Sequence, residues 1–121
     1  MLEEDFLSLE LSHLRFDLRS SRARLDALLS EEYFEFGRSG RAYSKVEIVA
    51  QVLADPVLPG GDCSASDLVE FRAMLVAPEV VLVTYWLRGA LRSSLWRREA
   101  RTWRILFHQG TPAAGPPVRA E

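Results

Sequence analysis

Apolar positions recur at two periods along this chain, near four residues in its first half and near two in its second. Leu7, Leu11, Leu14 and Leu18, with Phe6 beside them, mark one face of an α-helix over residues 2–18. Glu3, Glu4, Asp5 and Glu10 crowd its first turns and Arg15 and Arg19 its last, an arrangement that complements the helix dipole. Ser20-Ser21 interrupts the pattern, and Ser21 predicts the N-cap of a second short helix carrying Leu25, Leu28 and Leu29. The aromatic run 32–36 predicts a strand, residues 37–40 a turn and 41–43 a short return strand. Ser44 and Glu47 have capping-box spacing before Val46, Val49, Ala50 and Leu53, so a further helix should start there and end at Asp55-Pro56. After a loop rich in Pro and Gly over residues 57–65, only strands are expected. Residues 66–76 fit either period and are assigned to a strand by context. The β-branched and aromatic run 80–87 is the clearest strand, and 91–98 and 103–109 complete the set around a turn at 99–102.

The 121 residues, 48% of them hydrophobic, suffice for the core of one domain without metal or disulfide staples. Cys63 is the single cysteine, so neither a disulfide nor a cysteine-based metal cluster can form within the chain, and a reducing cytoplasm is the expected compartment. The acidic N-terminus and the lack of a long apolar run speak against export or membrane insertion. A net charge of −2 gives no general electrostatic grip on nucleic acid. Arginine supplies every basic side chain but Lys45, and asparagine is absent, the usage of a GC-rich bacterial genome. The Pro-, Ala- and Gly-rich end predicts a domain over residues 1–111 and a disordered tail over 112–121.

The segments 28–37, 39–44, 83–85, 92–96 and 103–111 resemble the SnoaL-like bacterial branch, of unknown function, of the nuclear transport factor 2-like superfamily. That resemblance implies an α+β, cone-shaped domain in which a curved mixed or antiparallel sheet wraps around about three N-terminal helices. It further implies a pocket inside the cone and often a homodimer formed through the sheet. Relatives range from ketosteroid isomerase, polyketide cyclases and dehydratases to purely associative domains, so the fold leaves open whether this chain is an enzyme. The isomerase constellation of carboxylate base, tyrosine and second acid cannot be placed here as a whole.

Strand parity assigns candidate roles. Trp103, Ile105, Phe107 and Gln109 should face the core, while His108 and Leu106 should point to the outer face. With Tyr85 and Trp96, Gln109 forms the expected ligand-pocket set for a small apolar molecule, and Trp86, Leu106 and His108 form the expected dimer interface. Glu35, between two phenylalanines, should be exposed, paired with an arginine such as Arg41, or tuned for proton transfer. Glu35 and His108 are thus the candidate general bases if the domain is a catalyst. The mixed faces of 91–98 suit a sheet covered on both sides, which also points to a homodimer. His13 has no second ligand nearby in sequence, no phosphate-binding loop or nucleophile elbow is present, and no metal or cofactor is expected. Three functions follow: a homodimeric binding domain, an isomerase-, cyclase- or dehydratase-like enzyme, and an oligomerisation or accessory domain without a ligand.

Overall fold

A computed structural model describes residues 1–37 and 39–118; Arg38, within the predicted turn, and residues 119–121 of the predicted tail lie outside the described residues. Helix α1 (Leu2–His13) stops earlier than its periodicity predicts. Leu14 closes it, Arg15 is extended, and a single turn, α2 (Phe16–Arg19), follows. The break suits both leucines, because Leu14 and Leu18 are each buried. Asp62, from the Pro/Gly loop, receives the Phe16 backbone N–H at 2.8 Å and ties this corner down. Helix α3 (Arg22–Leu28) begins at the predicted cap, with Ser21 Oγ accepting from Arg24 N.

Strand β1 (Leu29–Phe36) turns back into β2 (Ala42–Ser44), and α4 (Lys45–Ala54) starts with both halves of the Ser44/Glu47 capping box formed. A short 3-10 turn, Ala65–Asp67, leads into β3 (Val69–Ala77), β4 (Val80–Leu87), β5 (Ala90–Glu99) and β6 (Thr102–Pro112). The two-residue connections Arg88-Gly89 and Ala100-Arg101 have positive φ at both positions, as a primed hairpin turn requires to match the strand twist. The strands form one mixed sheet in the order β2-β1-β6-β5-β4-β3, with β1 and β6 parallel and every other pair antiparallel. The sheet is curved and unclosed, and the fold is α+β. Val81, Val83, Tyr85, Leu87, Trp96 and Ile105 supply its inner face to the core. Phe6 of α1 packs edge-on against Trp96 and Trp103, with ring centroids 5.9 and 5.0 Å away.

Two departures from the expected pattern matter for function. The buried line of α1 runs through Phe6 and Glu10 to Leu14, at strict intervals of four, while Leu7 and Leu11 are only half-buried. A charge therefore sits at the centre of the apolar face. In β6 the pairing Trp96–Ile105 is followed by Leu95–Phe107, leaving Leu106 as the extra residue of a β-bulge. Beyond it the parity inverts: Ile105 and His108 are buried, whereas Phe107 and Gln109 are carried to the other face. The expected alternation of Trp103, Ile105, Phe107 and Gln109 along one face fails at that residue.

Lys45 brackets the N-terminal half. Its buried Nζ donates to Asp26 O and Leu29 O, each at 3.0 Å, and to Glu31 Oε1 at 2.9 Å, joining the end of α3 and the start of β1 to α4. Lys45→Met removes these charge-assisted bonds and strands two carbonyls, and should lower unfolding free energy by about 2 kcal/mol in urea titration, a discount for the exposed Glu31 included.

Candidate functional site

Glu10 is fully buried, so its carboxylate must be satisfied by protein. Tyr85 Oη donates to Oε2 at 2.6 Å, Ser94 Oγ to the same oxygen at 2.9 Å and Trp96 Nε1 to Oε1 at 3.0 Å. One helix and two neighbouring strands thus meet on one side chain. His13, one turn along α1, brings Nε2 within 3.0 Å of Oε2, a contact that is an ion pair when the imidazole is protonated. Burial by itself would raise the Glu10 pKa, but the charge interaction with His13 leads the opposing effects, helped by His108 and Tyr85, and the carboxyl falls to about 2. It is ionised at neutral pH. The same contact with a carboxylate, on top of burial, raises the Tyr85 hydroxyl well above its ordinary range, so Tyr85 remains a donor.

The network also settles the tautomer of His108. Ser94 has one hydroxyl proton and gives it to Glu10; its oxygen, 2.7 Å from His108 Nδ1, must then accept, so Nδ1 carries the imidazole proton. His108 Nε2 is left as a bare lone pair, buried and without a partner among the described residues. Burial, followed by the nearby charge of His13, pushes the His108 pKa down to about 3, which keeps the ring neutral. The two histidine rings stand edge to face, centroids 5.4 Å apart.

His13 and His108 form one wall of a pocket of about 360 Å³. Arg19 of α2, Glu35 of β1, Arg92 of β5 and Asp55 after α4 add charge to it, and Ile48, Val52 and Leu58 supply apolar surface. Arg19 Nε is held by Pro56 O at 2.8 Å, whereas the buried Nε of Arg92 has no hydrogen-bond partner among the described residues. Glu35 accepts from the Tyr33 hydroxyl at 2.5 Å.

No family model matches this sequence, and no curated protein matches it. Solved structures do resemble it. An NTF2-like protein from Cytophaga hutchinsonii is 12% identical with a TM-score of 0.61, over 93% of this chain and 99% of its own. An NTF2-like protein of unknown function from Prochlorococcus marinus is 10% identical with a TM-score of 0.67, over 95% of each chain. The association domain of C. elegans CaMKII is 13% identical with a TM-score of 0.66, over 89% of this chain and 93% of its own. The chain has the nuclear transport factor 2-like fold. Among the described residues no helix is long and apolar enough to cross a membrane.

Within this NTF2-like fold the residues singled out from sequence are redistributed. Tyr85 and Trp96 are on the inner face, but their polar atoms are engaged by Glu10 and not turned to the pocket. Gln109 is displaced by the bulge to the outer face, where it and Thr111 line a second cavity of about 390 Å³ that Tyr85 also borders. His108 is moved the opposite way, from the expected dimer face into the interior, and joins Glu35 in the pocket wall. Trp86 and Leu106 stay half-buried, with Trp86 Nε1 donating to Ala113 O at 3.0 Å. Arg41 does not pair with Glu35; it binds Glu47 at 2.8 Å and covers the Tyr43 ring. Glu10, the organising residue, escaped sequence reasoning because it was counted with the acidic first turns. Its position four residues from both Phe6 and Leu14 was the available signal.

Glu10→Ala strands three buried donors and should cost about 3–5 kcal/mol, the loss typical of breaking a buried charge cluster. Tyr85→Phe, which removes one donor of the set, should cost about 1–2 kcal/mol. Both are measured by equilibrium denaturation of the two variants against the parent chain.

Proposed function

We propose that this protein is a small-molecule-binding domain that holds an anionic group of its guest between Arg19 and Arg92. The observation that carries this reading is that two arginines line one pocket, one of them with a buried Nε that has no partner among the described residues. Burial and then the nearby Arg92 charge lower the Arg19 pKa, so the two cations disfavour one another in this partly desolvated site. A carboxylate between them relieves that repulsion and forms charge-assisted bonds. The lining is mixed and not apolar, which shifts the expected guest from an apolar molecule to an amphipathic one: the acid at the arginines, an apolar body against Ile48, Val52 and Leu58. Glu35 and His108 share the pocket, so turnover of a bound acid would extend the reading to acid–base catalysis. The setting proposed for it is the cytoplasm of a bacterium, within the SnoaL-like branch that the sequence resembles.

The test is a thermal-shift and calorimetric comparison of short-chain carboxylates with their neutral amides. Carboxylates should raise the melting temperature and the amides should not, and Arg92→Met should weaken carboxylate binding by about tenfold or more, the range for loss of a charged hydrogen-bond partner. Equal effects of acid and amide would reject the anionic reading.

A second reading, self-association through the sheet, rests on its outer face. Phe34, Phe107, Leu95, Leu82 and Met74 stand in register across five strands, all half-buried or exposed, and Phe36 stacks edge-on against Phe107. An apolar row of this length on an open sheet favours cover by a second sheet. The likeness to an association domain of CaMKII agrees with it. Homodimerisation by this face predicts that Leu82→Lys combined with Leu95→Glu gives a folded monomer in light scattering, where the parent chain runs as a dimer.

A further inference from the structure

The geometry points to a divalent transition-metal site formed by Glu10, His13 and His108, opening into the pocket. Two imidazoles and one carboxylate offer ligand atoms that all lie within 4.8 Å of one another. That donor set, with open positions left for water or a guest, suits the borderline first-row ions such as Zn²⁺, Co²⁺ and Fe²⁺ and not Mg²⁺ or Ca²⁺, which prefer all-oxygen shells.

Three observations support it independently of residue type. His108 Nε2 is a deprotonated lone pair by hydrogen-bond accounting, buried and without a partner among the described residues, on a side chain that is more than nine-tenths buried and borders the pocket. His13 Nε2 is likewise buried without a hydrogen bond, although it lies 3.0 Å from a carboxylate oxygen. Glu10 spends three of its roughly four acceptor sites on Tyr85, Ser94 and Trp96, which leaves capacity for one cationic partner.

The surrounding bonds have the form of an outer coordination sphere. Ser94 accepts from His108 Nδ1–H and donates to Glu10, so one hydroxyl orients two of the three ligands and fixes the tautomer that leaves Nε2 free. The widest separation of 4.8 Å exceeds the roughly 3.3 Å edge of a tetrahedron built on bonds of about 2.0 Å. His13 is already within 3.0 Å of Glu10, so the ring that must approach to complete the site is that of His108 or, from the end of α1, that of His13.

The inference is independent of the anionic-guest reading, since metal uptake is measured with no organic molecule present and either can fail alone. The chain contains 2 histidines, so in a tag-free protein every imidazole signal belongs to this site. The full chain, stripped with EDTA and titrated with Zn²⁺ and Co²⁺, should take up one ion per chain. Co²⁺ should give the intense visible spectrum of a low-coordinate site, and Zn²⁺ should shift the imidazole NMR resonances of both histidines together. His13→Gln and His108→Gln should each weaken binding by more than the roughly 10–100-fold that loss of an outer partner costs, and Ser94→Ala should fall within that range. If a variant fails to fold, the NMR response of the parent chain decides. Absence of one-to-one uptake, uptake that leaves either imidazole unmoved, or undiminished uptake by a folded histidine variant overturns the site and leaves Glu10 and His13 as a simple ion pair.

Discussion

The constraint around which this domain is arranged is an ionised carboxylate with no access to water. Desolvating Glu10 costs several kcal/mol unless most of its lone pairs are met, and the donors that meet them come from β4 and β5. Helix α1 can therefore dock on the sheet in few ways. An apolar cluster in place of the whole network would fill the space while tolerating sliding or rotation of the helix. The carboxylate does not, because each displacement would leave a buried donor or acceptor unpaired. Phe6 and Leu14, one turn to either side, supply the apolar burial that holds the charge in place.

The second determinant is one additional residue. Leu106 enters β6 without a partner in β5, and everything after it exchanges faces. His108 is turned inward to Ser94 and the pocket, and Phe107 is turned outward to complete the apolar row from Phe34 to Met74. The same bulge therefore builds the inner site and the outer surface, and neither would exist in a regular strand. Such a device is common where a sheet must both bend and aim a side chain.

Local chemistry was legible from the chain. The capping box at Ser44 and Glu47, the cap at Ser21, the stop before Pro56 and the strand 80–87 all depend on neighbours within about four residues, and each is where the pattern placed it. The α+β class follows from the change of period between the two halves. Less legible was the end of α1, where an early break lets Leu14 and Leu18 both reach the core, a gain that helix periodicity alone does not register. The ambiguous stretch 66–76 resolved into a 3-10 turn and a strand because β4 offered it a ladder.

The site lies on the other side of that line. Glu10 meets Tyr85, Ser94 and Trp96 across separations of 75, 84 and 86 residues, and no spacing rule links positions so far apart. His13 and His108 looked like isolated histidines for the same reason, and the parity of His108 turned on a bulge that leaves no mark in composition or periodicity. By itself the sequence determined what is governed by local sterics and the alternation of apolar and polar side chains: the elements, most of their ends, and the class of fold. Tertiary structure decided which polar groups share a buried space, because that depends on strand order, register and the requirement that a charge removed from water find its partners.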